Sequence, residues 1–385
     1  MARLEEICSL ITDGSHFSPE DEGVGYPMFS VKDMTPNGFN ISGCKKIGEE
    51  AYKKLVANGC KPLNDDVVVA KDGSYLKTAF VIKGNPEIAL LSSIAILRPK
   101  IDLVVPEYLS YFLKSDAVYR TVSLNYITGT ALKRIILKGI RKIEVDLPDI
   151  GEQEQRAQRL SKVDYLCQLR KQQLDKLDEL VKARFVEMFG DPVVNSKRWP
   201  VETIENHIDL LTGFPFDSSG YVSKGVNICG GLIIMPQKID WSACKHWPQI
   251  TGYEDYILRP NDIVIALDRP WISNGFKIAM VDREHLPALL IQRTARIRAV
   301  DINQHYLMQS LLFGRFDKHC NITGSLVPHI SPKDIKSYSV MIPPIELQNQ
   351  FATFAERVDQ QKRTVQQSLE KLELMKKVLM QEYFG

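Results

Sequence analysis

The stretch DVVVA at residues 66–70 is repeated about 195 residues later as DIVIA at residues 262–266. Two further runs recur at the same separation: ITGTAL at 127–132 returns as ITGSLV at 322–327, and EMFG at 187–190 returns as EYFG at 382–385. Stacked solenoid repeats have much shorter periods, roughly 20–50 residues. In a chain of 385 residues, so long a period indicates a duplicated domain, and we predict two copies of one unit.

Each copy is expected to begin with a mixed α/β module. Short runs rich in β-branched residues, separated by turn residues, predict strands, and apolar residues on one helical face predict a helix after Pro106. The runs that predict strands lie at 67–69, 79–82 and 94–97 in the first copy and at 263–265 and 277–280 in the second, where a helix is expected near 306–312.

A long helix is expected after each module. Residues 152–188 contain neither proline nor glycine, and their apolar residues recur at three- and four-residue spacing, as do those of the second copy. We predict helices of about 35–40 residues, each on the order of 55 Å long. Neither helix is apolar all round, so each needs a partner, and we expect it to be the other helix. The predicted contact residues are Leu160, Val163, Leu174, Leu177, Val181, Phe354, Val358, Leu369, Leu372 and Leu379.

The order of the elements predicts that these helices run antiparallel, because the second module follows the end of the first helix. The predicted fold class is α+β: two similar mixed α/β domains joined by a pair of long antiparallel helices, a coiled-coil rod with pseudo-twofold symmetry. The predicted boundaries are 1–149 for the first domain, 150–190 for the central helix, 191–343 for the second domain and 344–385 for the last helix.

Charge and composition narrow the classes of function. The formal net charge is only +2, yet residues 117–143 contain six basic side chains and no acidic one. Local basic faces can bind phosphates, although solvated surface is the alternative reading of such a stretch. The sequence contains no run of 18 apolar residues, so no membrane span is predicted. The seven cysteines form no C-x-x-C pair, which favours reduced thiols and a cytoplasmic location.

Catalytic motifs are missing from the sequence. It contains no G-x-S-x-G, H-E-x-x-H, phosphate-loop or G-x-G-x-x-G motif, and its seven histidines are scattered. We therefore expect no catalytic residue, no metal site and no cofactor on this chain, with a free-standing enzyme as the less favoured alternative.

Polar loops with basic and aromatic residues occur at matching places in the two copies, but their polar residues differ. Arg, Lys, Asn, Ser and Thr side chains read base edges and contact phosphates in DNA complexes. Two DNA-binding domains of the same fold but with different base specificities would have this pattern, whereas each loop alone could be an ordinary turn. The candidate DNA-binding residues are Ser15, His16, Lys32, Lys71, Ser74, Tyr75, Lys77, Thr130, Lys133, Arg134, Phe216, Ser218, Lys224, Arg269, Trp271, Asn274, Lys277, Arg293, Ser325, His329 and Lys333.

The whole chain resembles the specificity subunits of Type I restriction-modification systems. The resemblance is carried in the modules by residues 11–16 and 29–34, and more specifically in the helical stretches by 147–155 and 187–192 and by 343–348 and 383–385. It implies a non-catalytic subunit whose two target-recognition domains each read one half of an asymmetric, bipartite DNA site. The helices would set the unread spacer between the two halves.

The resemblance also implies the partners. They would be double-stranded DNA, two modification (methyltransferase) subunits and restriction (endonuclease and translocase) subunits, with no membrane involved. S-adenosylmethionine, ATP and Mg²⁺ would bind to those partner subunits. A self-contained DNA methyltransferase or restriction enzyme and a protein scaffold that does not bind DNA are the alternatives. The DNA sequence recognised is not readable from the chain, because shape readout leaves no residue signature.

Overall fold

The computed structural model describes residues 1–73, 76–128, 134–320 and 328–385. It contains two compact units: unit 1 consists of Met1–Lys171 and Gln367–Gly385, and unit 2 consists of Gln172–Gln366. No helix among the described residues is long and apolar enough to cross a membrane.

Unit 1 is a mixed α/β unit of short elements. Its strands are Ala2–Arg3, Cys8–Asp13, Tyr26–Phe29, Met34–Thr35, Gly38–Phe39, Lys45–Ile47, Val67–Ala70, Ala79–Val81, Ala89–Leu90, Ile94–Pro99, Ile127–Thr128, Arg134–Ile135 and Glu144–Val145. Its short helices are Leu4–Ile7, Glu49–Ala57, Pro106–Leu113, Asp116–Asn125 and Leu137–Arg141, with a 3₁₀ turn at Val31–Asp33. The strands and the helix predicted for this module are therefore present.

The repeated stretch at 66–70 forms the centre of unit 1. The central sheet is antiparallel, in the order Cys8–Asp13, Ile94–Pro99, Val67–Ala70, Ala79–Val81. Side chains alternate between the two faces of a strand. Val67 and Val69 therefore pack in the core that contains Leu109, while Val68 packs on the other face with Phe29. Both faces of the strand are covered, which explains its unbroken apolar run.

A second sheet of unit 1 was not predicted. Tyr26–Phe29 lies between Lys45–Ile47, to which it runs antiparallel, and Ala89–Leu90, to which it runs parallel. These strands have two to four residues, so they are too short to show a clear alternation of apolar and polar residues.

Unit 2 has the same order of strands in its two main sheets. Its central sheet is Ile208–Thr212, Thr294–Ala299, Ile263–Ala266, Ile278–Met280, and its three-stranded sheet is Lys245–Trp247, Val226–Cys229, Ala288–Leu290. The remaining strands are Val201–Thr203, Ile234–Met235, Lys238–Ile239, Trp271–Ile272, Gly275–Phe276 and Ser339–Met341. The short helices are Gln304–Phe313, Phe316–His319 and Pro332–Lys336, and 3₁₀ turns occur at Ile204–His207, Ser218–Gly220, Trp241–Ala243 and Glu254–Tyr256.

Two helices of 40 residues follow the modules, at Ile150–Phe189 and Ile345–Phe384. In unit 1 they run antiparallel, since Arg156 Nη1 donates to the Tyr383 carbonyl oxygen (3.2 Å) and Asp164 pairs with Lys376 (2.5 Å). In unit 2 Asp178 pairs with Lys362 (2.5 Å), and the rings of Phe185 and Phe351 lie 5.5 Å apart, again in antiparallel order. Of the predicted contact residues, the buried ones are Leu160, Val163, Val181, Val358 and Leu369, and the half-buried ones are Leu174, Leu177, Phe354, Leu372 and Leu379.

A buried glutamine fixes the start of each long helix to its own unit. In unit 1 Gln153 accepts a hydrogen bond from the Val105 backbone N–H (3.0 Å) and donates to the Pro148 carbonyl oxygen (2.9 Å). In unit 2 Gln348 accepts from the Asn303 N–H and donates to the Pro343 carbonyl oxygen, both at 2.8 Å. Each side chain is only 1% exposed, so these amides hold both helix starts in one defined orientation.

Candidate nucleic-acid interface

Several candidate residues of unit 1 lie at one end of the central sheet. Cys8–Asp13 and Val67–Ala70 stop at this end, where Ile94–Pro99 begins, because Asp13 is opposite Ala95 and Ala70 is opposite Ile94. We call it the loop end of unit 1. The matching loop end of unit 2 lies where Thr212 is opposite Ala295 and Ala266 is opposite Thr294.

Glycine is required at both loop ends. A Cβ atom on Gly14 would collide with the carbonyl oxygen of Leu90, and one on Gly213 with that of Ile291. The chain leaving the first strand therefore runs tightly along the sheet. The adjoining Ser15 N–H donates to the Leu90 carbonyl oxygen at 2.8 Å, which fixes where this loop begins.

Asp13 organises the first basic cluster at the loop end of unit 1. Its carboxylate pairs with the Lys71 ammonium group, and His16 Nε2 lies 3.6 Å from Asp13 Oδ1. Lys71 is 7% exposed, so its ammonium group is neutralised by Asp13 inside the unit. The sequence had predicted a DNA contact for this residue. The His16 side chain is 80% exposed and is available to a ligand.

A second aspartate connects another predicted loop to this end. The Arg134 guanidinium lies 3.8 Å from the Asp72 carboxylate, and the two residues are paired as an antiparallel bridge. The Ile135 N–H donates to the Lys71 carbonyl oxygen (3.0 Å). Half of the Arg134 side chain is exposed, so the structure places a basic group on the surface here.

The remaining candidates of unit 1 have different environments. Ser15 is half-buried and its hydroxyl is engaged with the backbone of Phe17. Lys32 is exposed on a turn whose Val31 N–H donates to Ser93 Oγ (3.0 Å), next to the loop end. Lys77 is exposed, with its ammonium 5.4 Å from the centre of the Tyr119 ring. The candidates Ser74, Tyr75, Thr130 and Lys133 lie outside the described residues.

Asp268 organises the loop end of unit 2. Its Oδ2 accepts from Arg293 Nη1 and its Oδ1 lies against His329 Nδ1, both at 2.8 Å. The Arg269 N–H donates to the Pro328 carbonyl oxygen (2.7 Å). Three segments that are distant in the sequence are thereby joined, and they bring together three candidate residues.

Two arginines at this loop end have left-handed backbone conformations. The φ angle is 46° at Arg269 and 63° at Arg293, in a region that costs a residue other than glycine roughly 1–2 kcal/mol. Such strain often occurs at functional sites, where surrounding structure maintains it. Both side chains are exposed, so the strain accompanies two basic groups that face solvent.

Other candidates of unit 2 are buried instead. Phe216 is 4% exposed and packs against Phe214, Trp247 and Tyr253, so this predicted DNA-binding residue is a core residue. Lys277 is 6% exposed and its ammonium group donates to the Gly231 carbonyl oxygen. Burial, reinforced by nearby Arg269, lowers the pKa of Lys277.

The last candidates of unit 2 lie on its surface. Trp271 is half-buried and stacks on Phe276, with ring centres 4.8 Å apart. The exposed candidates are Ser218, Lys224, Asn274 and Lys333. Ser325 lies outside the described residues.

The three aspartates that hold the basic groups, Asp13, Asp72 and Asp268, were not among the predicted site residues. Their carboxylates contact basic side chains of the protein and would not contact DNA phosphates directly. A signal existed for two of them, since both Asp72 and Asp268 stand two residues after the repeated strand.

Possible metal ligands and cysteine thiols show no activated site in the described part of the chain. The described residues contain no group of three or more His, Cys, Asp or Glu side chains that could hold a metal ion. Six of the seven free cysteines are buried, and burial raises the pKa of Cys8 and of Cys320 to about 12. These thiols are therefore poor nucleophiles at neutral pH.

Comparisons with known proteins agree with the resemblance. Residues 1–179 match the family model described as "Type I restriction modification DNA specificity domain". The Type I restriction enzyme MjaVIII specificity subunit of Methanocaldococcus jannaschii is 25% identical over 346 residues, which are 85% of this chain and 79% of that protein. The EcoAI specificity subunit of Escherichia coli is 35% identical over 135 residues, which are 33% of this chain and 23% of that protein.

A solved structure shows the same fold. The S subunit of a Type I restriction-modification system from M. genitalium aligns with 100% of this chain and 95% of its own, with a TM-score of 0.59 and 14% identity. Residues 1–179 therefore match the DNA specificity domain of Type I restriction-modification systems, and the whole chain is similar to the specificity subunits of those systems in sequence and in fold.

Proposed function

We propose that this specificity subunit recognises a bipartite, asymmetric DNA site, with the loop end of unit 1 reading one half and the loop end of unit 2 reading the other. The observation that carries the proposal is that the two units share the order of their strands but present different side chains at equivalent ends. His16 and Arg134 are exposed in unit 1, and Arg269 and Arg293 in unit 2. Two domains that share a strand order but expose different hydrogen-bond donors can recognise two different base sequences.

Each part of the chain would have its own role in this function. Residues 1–149 and 191–343 would be the two target-recognition domains, duplicated from one ancestor, and residues 150–190 and 344–385 would form the coiled-coil spacer between them. In this function the chain would itself be non-catalytic and would act within a Type I restriction-modification complex, like the specificity subunits to which it is similar. We propose two modification subunits and restriction subunits as partners in the cytoplasm, with S-adenosylmethionine, ATP and Mg²⁺ bound on those partners.

Substitutions in the two units should affect different halves of the site. Asn274→Ala should relax the preferred bases in one half and His16→Ala those in the other, each by roughly 1–3 kcal/mol of discrimination if the side chain reads a base. Mapping of methylated adenines in cells that express the chain with its modification subunits measures both. The assignment of one unit to one half is wrong if either variant changes both halves together.

A phosphate contact by Arg134 should be visible in the salt dependence of binding. Arg134→Ala should weaken binding of all duplexes to a similar degree and lower the slope of log K against log salt by about 1. The matched control is Lys100→Ala, because Lys100 is exposed and follows the opposite end of the same sheet. Equal slopes for wild type and Arg134→Ala would remove Arg134 from the phosphate contacts.

A further inference from the structure

Arg293 is held at both its backbone and its guanidinium group. Its carbonyl oxygen accepts from the Leu267 N–H (2.9 Å), and its Nη1 donates to Asp268 Oδ2 (2.8 Å). The side chain is nevertheless 72% exposed. A flexible basic chain is sufficient to contact a phosphate, whereas an exposed arginine with a fixed orientation suits a ligand with defined acceptor positions.

The carboxylate of Asp268 favours a neutral acceptor over a phosphate as the ligand of Arg293. It lies 2.8 Å from Arg293 and also 2.8 Å from His329 Nδ1, so it offsets positive charge. Among the described residues it accepts from one of the five guanidinium N–H donors of Arg293. A phosphate placed there would be repelled by this carboxylate. The major-groove edge of guanine instead offers two neutral acceptors, O6 and N7, which arginine contacts in a bidentate manner.

We propose that Arg293 reads one guanine in the half-site recognised by unit 2, donating to its O6 and N7 in the major groove. Asp268 is a positioning residue in this contact: it orients the guanidinium group and does not touch the base. The inference rests on the proposed DNA-reading function and adds to it the identity of one base and of the residue that recognises it.

Two substitutions of Arg293 separate base reading from a phosphate contact. Arg293→Lys keeps the positive charge but loses the planar pair of donors, so it should lose about 10- to 100-fold of discrimination at one G·C pair while the salt dependence of binding is unchanged. Arg293→Gly should lose the same discrimination. Because glycine adopts a φ of 63° without strain, this variant should fold at least as well as the wild type.

The positioning role of Asp268 has its own readout. Asp268→Asn should reduce discrimination at the same G·C pair and at no other position. Arg283→Ala is the matched control, since Arg283 is exposed and follows the other end of the Ile278–Met280 strand; it should leave the recognised site unchanged. Mapping of methylated adenines in the DNA of cells that express the full chain with its modification subunits measures the effect of every variant on the recognised site.

Modified duplexes test the contact directly. With 7-deazaguanine, which lacks the N7 acceptor, placed at each guanine of the half-site in turn, the wild-type complex should lose roughly tenfold in affinity at one guanine only. The Arg293→Lys complex should show no further loss there. Uniform weakening with a smaller salt slope in Arg293→Gly, rescued by lysine, would identify a phosphate contact and overturn the proposal. If the wild-type complex recognises no bipartite site at all, the proposed function itself fails, which is a separate outcome.

Discussion

Phe189→Ala is expected to destabilise unit 2 by about 3–5 kcal/mol, the usual cost of removing a fully buried phenylalanine ring. Phe189 is 0% exposed. Its ring lies 4.7 Å from that of Tyr306 and 5.5 Å from that of Phe351, so it connects both long helices to the Gln304–Phe313 helix. Its carbonyl oxygen also accepts a hydrogen bond from Trp199 Nε1 (2.9 Å).

The loss should be large relative to a domain stability of roughly 5–15 kcal/mol. We expect the Tm of unit 2 to fall by about 10 °C, since 1 kcal/mol shifts the Tm of a domain of this size by roughly 2–4 °C. Calorimetry, with hydrogen exchange to assign the transition to unit 2, measures the change. Val186→Ala is the matched control, because Val186 lies on the same helix but is 39% exposed. Similar losses for the two variants would contradict the role assigned to the Phe189 ring.

An equivalent aromatic contact in unit 1 would not have been found from periodicity. Phe384 lies 5.1 Å from the ring of Tyr108, and the Tyr108 hydroxyl donates to the Asp146 carbonyl oxygen (3.0 Å), as Tyr306 does to Met341 (2.8 Å) in unit 2. The sequence shows that EMFG and EYFG recur. Which element each phenylalanine packs against depends on contacts between residues far apart in the chain.

Elements with a long or continuous pattern were predicted correctly. The proline- and glycine-free stretch from 152 to 188 is part of the helix Ile150–Phe189, and the buried runs at 67–69 and 263–265 lie in central strands. The long helix is predictable because its apolar spacing continues over several turns, and the central strands are predictable because continuous β-branched runs lie between turn residues. Strands of two residues have no such pattern, and they were missed.

Candidate site residues were harder to predict, because burial depends on the tertiary fold. Lys71, Lys277 and Lys32 were all predicted to bind DNA because each is a lysine in or beside a polar loop. Only Lys32 is exposed. The pairing of Asp268 with Arg293 and with His329 spans 25 and 61 residues, so no local motif reports it. The loops were therefore recognisable from the sequence, but the arrangement of charge within them was not.

The spacer proposed for this chain should respond to a change in helix length. Within unit 1 the long helices are paired through Asp164 and Lys376, and within unit 2 through Asp178 and Lys362. Four residues inserted after Lys171 alone would change the length of one helix and not of the other. Four residues inserted after Lys171 and four after Gln366 would retain both sets of pairs, so this double insertion is the appropriate variant.

The double insertion is expected to leave both half-site sequences unchanged and to lengthen the unread gap by one or two base pairs. Four helical residues add roughly 6 Å at 1.5 Å per residue, close to two base-pair steps of about 3.4 Å each. They also keep the apolar stripes nearly in phase, because four residues approximate one turn of 3.6 residues. Two residues inserted at each position should instead rotate the stripes by roughly 200° and abolish activity. Adenine-methylation mapping measures the gap, and an active four-residue variant whose gap keeps the wild-type length would show that the helices do not set the spacing.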